Sequence, residues 1–210
     1  FRRVLFRSEL VDFSRPASTT IARVRIADVV EEALGIAKYY HRIKGRTITT
    51  QIDPELPRVY VVRDYVSQVV LNLVLNAIDA TDDRGRIHLE GFSQGGHLVL
   101  DVVDDGRGIP LEDQSRVFEP FFTSKPQGTG LGLFVCRQML DEFGGELTFR
   151  SKAGAGSTFS IRLPSERGDS DRAVCRSGEA PPSPTYGSVH SPPPIAQATG
   201  FHEPERAISR

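Results

Sequence analysis

The chain is predicted to fold as an α+β domain. Helix-periodic segments dominate its first half, and short alternating segments joined by glycine turns dominate its second. There is no regular strand–helix alternation of the kind that builds a doubly wound parallel sheet. At 210 residues, the chain is long enough for one well-formed core.

The elements follow in order. Glu9 to Pro16 reads as the last turn of a helix, ended by Ser14-Arg15-Pro16. From Ile26 to about His41, Ile26, Val29, Val30, Ala33, Leu34 and Ala37 recur at helical spacing. Arg46 to Ile52 alternates and carries β-branched residues, so it is predicted as a strand closed by Asp53-Pro54 and Pro57. A helix is expected from about Asp64 to Ala80. Ile87–Phe92 and Leu98–Val103 read as strands joined across Gln94-Gly95-Gly96. Gly106 to Gly128 is a long polar segment around an aromatic cluster. Leu131 to Phe143 reads as a helix stopped by Gly144-Gly145. Glu146–Ser151 and Ser157–Leu163 form a second hairpin across Gly154-Ala155-Gly156.

Composition removes several function classes. Lys plus Arg (26) nearly balances Asp plus Glu (27), so bulk charge points to neither nucleic acid nor an acidic membrane. No apolar run reaches the about 18 residues that a membrane helix needs. The apolar N-terminal stretch is broken by Arg2, Arg3 and Arg7, unlike a signal peptide. Cys136 and Cys175 lack metal-site spacing, which fits a reducing, cytoplasmic setting.

Both ends differ from the middle. Val4-Leu5-Phe6-Arg7-Ser8 matches a translated sequencing adapter, so residues 1–8 read either as an artefact or as an ordinary helix end carried over from upstream. Seven of the 14 prolines fall between Pro181 and Pro204, among Ser, Gly and Arg. A segment so poor in large apolar residues is not expected to offset its ordering entropy. Residues 165–210 therefore read as a disordered tail or as frameshifted coding sequence.

Three segments carry the chemistry. On the helix around residue 76, Asn72, Asn76 and Asp79 fall on one stripe at about 100° per residue. Val66, Val69, Val70, Leu73 and Ala77 fall on the next, and Leu71, Val74, Leu75 and Ile78 make most of the remainder apolar. A helix that is apolar nearly all round is buried, and a polar stripe in it must be satisfied by something. An Asn side-chain oxygen can serve a hard cation while phosphates supply other ligands. Three polar residues on one stripe favour a site over an internal hydrogen-bond network.

The second segment, Asp104-x-Gly106-x-Gly108, follows an apolar strand. A carboxylate there can accept a hydrogen bond from an exocyclic amine such as that of adenine, and the glycines permit a sharp turn or close approach. On its own, this pattern is equally a plain turn. The third segment, Gly128-Thr129-Gly130-Leu131-Gly132-Leu133, opens a helix and offers free N–H groups to phosphate. It fits neither a dinucleotide-binding βαβ unit nor a P-loop. Between the last two lies Phe118-Glu119-Pro120-Phe121-Phe122-Thr123-Ser124-Lys125, whose three Phe suggest a cover over a pocket. Two readings of Lys125 stand side by side: a point charge for a terminal phosphate, or a solvated surface lysine.

Together these residues resemble the histidine-kinase branch of the ATPase superfamily that also holds DNA gyrase, heat-shock chaperone and mismatch-repair ATPases. The resemblance runs from about Leu10 to Pro164. The family's asparagine box is matched by Asn72 and Asn76, its first glycine box by Asp104, Gly106 and Gly108, and its phenylalanine box by Phe118 to Phe122. The second glycine box is matched by Gly128 to Leu133. Gly156-Ser157-Thr158-Phe159 resembles the final box, with Thr158 placed as the threonine that helps hold adenine. The resemblance implies a two-layer α/β sandwich of the Bergerat type, a mixed and mostly antiparallel sheet under three helices. It implies ATP and Mg²⁺ as cofactors, covered by an ATP lid. Asn76 would ligate magnesium, Asp104 would bond the adenine amine, and Gly130 and Gly132 would approach the phosphates. Asn72, Asp79, Ile109, Phe118, Thr129, Leu131 and Leu133 would line the nucleotide, and Asn72, Asn76 and Lys125 would form the catalytic set.

Hydrolysing branches place a Glu one turn before the metal-binding Asn, as general base for water. Position 72 is Asn, which takes no proton at neutral pH. That favours phosphoryl transfer to a protein. Leu10 to Pro16 resembles the end of dimerisation helices, so residues 9–20 are expected to be that end and a linker, and residues 21–164 the ATPase domain. The expected partners are a dimerisation or histidine-phosphotransfer domain and a response-regulator receiver domain. The expected parent is a homodimer, itself cytoplasmic or membrane-anchored.

One departure stands out. None of His41, His88, His97, His190 and His202 lies in the family's phosphoacceptor motif. The acceptor is therefore expected outside this sequence. Two alternatives share the fold: a serine kinase acting on an anti-anti-sigma partner, and a non-catalytic module that reports ATP to a partner.

Overall fold

A computed structural model describes residues 20–40, 43–125 and 128–165. The readings of residues 1–19, the 166–210 tail, His41, His190, His202 and Cys175 lie outside these residues. The elements are β1 (Ile21–Val24), α1 (Ile26–Ala37), β2 (Thr47–Ile52), β3 (Val59–Val62), α2 (Arg63–Ala80), β4 (Arg86–Gln94), β5 (His97–Asp104), α3 (Leu111–Gln114), α4 (Gly132–Asp141), β6 (Glu146–Ser151) and β7 (Ser157–Pro164).

The larger sheet has the order β2-β4-β5-β7-β6. β2 runs parallel to β4, and every other pairing is antiparallel. The sheet is mixed and mostly antiparallel, as expected. β4 and β5 are closed by Gly95 and Gly96, both at positive φ (59° and 76°), the backbone of a two-residue hairpin turn whose twist matches the strands. Alternation divides the sheet into two faces. Ile87 and Leu89 of β4, Leu98, Leu100 and Val102 of β5, and Phe159, Ile161 and Leu163 of β7 turn to the core that the helices cover.

α2 is the central helix. Val66, Val69, Val70, Leu73, Val74 and Ile78 are all at most 1% exposed, and each such side chain stabilises the fold by roughly 1.5–3 kcal/mol. Its C-terminus is held by polar groups. Thr81 Oγ1 donates to the Ala77 and Ile78 carbonyls at 2.9 and 3.2 Å, and Arg46 donates to Thr81 Oγ1 and O at 3.0 and 2.6 Å. A cation at this end also complements the helix dipole.

Three details differ from the sequence reading. α1 ends at Ala37, short of His41, and α4 ends at Asp141, two residues before Phe143. β1 and β3 were not anticipated. They form a separate two-stranded antiparallel sheet, Ile21 opposite Val62 and Val24 opposite Val59. Pairing also reaches Ser165, which bridges Val59 and donates from Oγ to the Gly96 carbonyl at 2.7 Å.

Candidate functional site

The polar stripe of α2 divides between two neighbours. Asn72 turns to α4, its Nδ2 donating to Cys136 Sγ at 3.2 Å. A Cβ on Gly132 would lie 2.8 Å from Asn72 Oδ1, so that glycine lets α4 approach the amide. Burial pushes the Cys136 thiol up to about 12, the Asn72 contact opposing only in part. Cys136 is therefore a neutral thiol at physiological pH.

One turn on, Asn76 and Asp79 meet Lys125. The Lys125 ammonium donates to Asn76 Oδ1 at 2.7 Å and to Asp79 Oδ2 at 2.8 Å. Tyr40 donates from its hydroxyl to the other Asp79 oxygen, Oδ1, at 3.1 Å. The predicted stripe and the predicted lysine, 49 positions apart in sequence, thus form one cluster.

Asp104 ends β5 opposite Ser157 on one side and Ile87 on the other. It is buried, and that burial raises its pKa above the usual carboxylate value; the backbone N–H groups of Gly106 and Ser157 oppose the shift. Gly106 N lies 2.9 Å from Asp104 Oδ1, closing a turn on the carboxylate. The adjacent Asp105 moves the other way. Arg86 donates to it from its backbone N at 2.7 Å and from Nε at 3.0 Å, which holds its carboxyl below the usual value.

The glycines of this turn have a packing reason for being there. A Cβ on Gly106 would lie 2.5 Å from the Ala80 carbonyl oxygen at the end of α2. One on Gly108 (φ +65°) would run into the Lys152 carbonyl, and one on Gly156 (φ +83°) into that of Asp104. Backbone bonds from Arg107 N to Ala80 O (3.0 Å) and from Gly154 N to Arg107 O (2.7 Å) lock the turn between α2 and the β6–β7 hairpin. Ile109 is tied to the same hairpin, its N donating to Ser151 Oγ at 2.8 Å.

Phe118 begins the next segment, packed edge-on to Phe149 at 5.6 Å between centroids; Phe149 stacks on Phe159 at 5.6 Å. Phe121 is 74% exposed and has φ 66°. Gly130 (φ +68°) packs against the Phe121 backbone, and Gly128 packs against Thr123 Oγ1. Thr129 Oγ1 accepts from Leu131 N at 3.4 Å. Leu131 is the N-cap of α4, and Leu133 lies in its first turn against the core.

Thr158 is the sequence-predicted residue that the structure does not bring to this group. Strand alternation puts it opposite Val103 and Arg150, on the face turned away from the helices. Ser157, one residue earlier, shares Asp104's face, and its Oγ lies 3.0 Å from Ser151 Oγ. Sequence reasoning also missed Tyr40 and Cys136, which no local motif marks. His88 and His97 engage their neighbours, Thr49 Oγ1 at 2.8 Å and the Gly95 carbonyl at 3.1 Å. A concavity of about 400 Å³ opens elsewhere, at the β2–β4–β5 end, lined by Thr47, Thr49, Arg86 and His88; of the predicted site residues it includes Asp104 alone.

The sequence profile of the "Histidine kinase-, DNA gyrase B-, and HSP90-like ATPase" family matches residues 61–167, about half of the chain and all of the glycine and asparagine segments. The chain belongs to this family. It is 33% identical over 158 residues to the sensor histidine kinase ZraS of Salmonella typhimurium, a match covering 75% of this chain and 34% of that protein. It thus spans about a third of the length of such curated relatives. The solved catalytic domain of histidine kinase ThkA, in a nucleotide-free form, is 32% identical with a TM-score of 0.63, covering 69% of this chain and 95% of that one. A second ThkA structure, in complex with the response regulator protein TrrA, has a TM-score of 0.63 at 26% identity, covering 79% of this chain and 48% of that one. These likenesses establish the ATPase-domain sandwich. Among the described residues, no helix is long and apolar enough to cross a membrane.

Proposed function

We propose that this ATPase domain is the catalytic, ATP-binding part of a bacterial two-component sensor histidine kinase. Its role would be to present the γ-phosphate of ATP to a histidine on a dimerisation domain outside the given sequence. The observation that carries the proposal is Asn72. One turn before Asn76, at the place where a hydrolase needs a base, stands an amide that donates to the buried Cys136 thiol. An amide bonded in this way does not activate water. The relatives support the same reading by name.

The residues divide the work by position. Asp104, held on the wall of the sheet, accepts from the adenine amine, and the backbone at Gly130 and Gly132, at the start of α4, approaches the phosphates. Magnesium fits the donor set: Asn76 Oδ1 and Asp79 Oδ2 already converge on one cationic nitrogen at 2.7 and 2.8 Å, and paired hard oxygens are what that ion selects. Asn76 would hold it, and the ion would neutralise phosphate charge. Lys125 supplies a further positive charge for the terminal phosphate. The bond that breaks is the one between the γ-phosphorus and its bridging oxygen, and the bond that forms is from a histidine nitrogen to phosphorus, with ADP leaving. Positioning and charge neutralisation carry such a transfer.

The phosphate would then pass to a response-regulator aspartate, and the working parent would be a cytoplasmic-facing homodimer. The test is incubation of a longer protein, extended upstream of Glu9, with γ-labelled ATP and Mg²⁺. Acid-labile phosphate on a histidine is expected. Steady ATP hydrolysis with no phosphoprotein would refute the proposal.

A further inference from the structure

The cluster formed by Lys125, Asn76 and Asp79 has a second consequence, which rests on the ATP-binding reading. Asn76 and Asp79 are three residues apart on α2 and so share a face. Asp79 has only 12% of its side chain exposed, and a carboxylate so placed needs a counter-charge. The Tyr40 hydroxyl engages Oδ1, and the ammonium of Lys125 bridges Oδ2 and the Asn76 oxygen. These two oxygens belong to different residues, yet they serve one cation. Lys125 itself is 31% exposed and sits on a flexible stem, so it can leave by rotation alone. A divalent ion at the same two oxygens would bring twice the charge to the same carboxylate.

We infer that Asp79 is a second protein ligand for the divalent cation beside Asn76, and that Lys125 is its tethered rival, holding the same two oxygens until the metal and nucleotide displace it. The exchange keeps a cation beside the Asp79 carboxylate at both stages. It also frees the lysine at the moment a terminal phosphate arrives, and it unpins the segment after Phe118 from α2. The bound metal therefore sets the position of that segment.

The test uses the full chain and a fluorescent ADP analogue, which lacks the terminal phosphate and so removes that role of Lys125 from the readout. Affinity is measured in EDTA and in saturating Mn²⁺, and the ratio of the two is the coupling between metal and nucleotide. Bound Mn²⁺ is counted independently by electron paramagnetic resonance. Asp79→Asn is expected to shrink the coupling about tenfold, the scale on which loss of a carboxylate near a metal acts. Lys125→Ala is expected to enlarge it about threefold or more, since the rival is gone. If Asp79→Asn no longer binds the analogue even in EDTA, Asp79→Ser is read in its place. Unchanged coupling in the Asp79 variant, or reduced coupling in Lys125→Ala, would overturn the inference while leaving ATP binding intact. A wild-type chain that binds no analogue with or without Mn²⁺ overturns both this inference and the reading beneath it.

Discussion

The turn after β5 and the segment carrying Lys125 each contain a glycine at positive φ, Gly108 and Gly130, but they are held in different ways. At Gly106, Gly108 and Gly156 the obstructing atoms are backbone carbonyls of α2, the β6–β7 hairpin and β5. At Gly128 and Gly130 they are Thr123 and the backbone of Phe121, within the same segment. The first turn is fixed by the scaffold. The second is fixed by itself, and the Lys125 contacts with Asn76 and Asp79 tie it to α2. The wall proposed to face the base is therefore pre-organised, while the part proposed to face the phosphates is held by polar contacts that can be exchanged.

The largest break in this comparison comes from adding one methyl group to each region. Gly108→Ala forces a left-handed backbone and a clash with the Lys152 carbonyl, and is expected to destabilise by about 3 kcal/mol in chemical denaturation. Gly130→Ala has nearly the same φ but only its own segment to disturb, and about 1 kcal/mol is expected. Equal losses would mean that the two regions are equally rigid.

Asp104→Asn comes next. Replacing the charge acceptor is expected to weaken ADP binding about 10- to 100-fold by calorimetry, the range for a hydrogen bond to a charged group. Its pH dependence has a defined sign. Because the folded pKa is raised by burial, the ionised form is disfavoured by folding. This carboxyl's contribution to stability is thus most favourable below the ordinary value and declines as pH rises through the raised one. Nucleotide affinity should run oppositely, growing over that same window as the acceptor ionises. Asp105, held low by Arg86, stays charged throughout. An affinity that is flat across this window, or falls as pH rises, would remove Asp104 from adenine recognition.

Two smaller effects sharpen the contrast. Phe121 is 74% exposed at φ 66°, and asparagine tolerates that backbone. Phe121→Asn should leave the melting free energy within about 0.5 kcal/mol of the parent. Cys136, with its thiol pushed up to about 12, should resist alkylation at pH 8 until the chain unfolds. Peptide mass spectrometry separates it from Cys175, and rapid native labelling would show that the α2–α4 seam opens.

Legibility in the sequence followed the range of the contacts. The α2 stripe could be read because 3.6-residue periodicity is local, and the β4–β5 hairpin because Gly95-Gly96 encodes its own turn. β1 and β3 could not, since four residues each show too little alternation and pair only through a partner 35 to 41 positions away. Which face Thr158 takes is not legible locally, because a shift of one residue reverses the face of a strand and the register is set by pairing with β5. The Tyr40–Asp79 and Asn72–Cys136 contacts join helices and a turn that no local pattern links. Periodicity announced the polar stripe, but only the fold showed that Asn72 serves α4 while Asn76 and Asp79 serve Lys125.

The bridge between Val59 and Ser165 has an evolutionary consequence. β3 pairs with β1 along its length, so the backbone at Ile21 lies beside Val62, while Ser165 lies beside Val59. Those two positions on β3 are about 10 Å apart at strand rise. The first and the last described pairing positions are therefore near neighbours. Closely spaced ends are what recombination tolerates best in a unit moved between parents, so a domain with this layout is suited to reuse in different proteins.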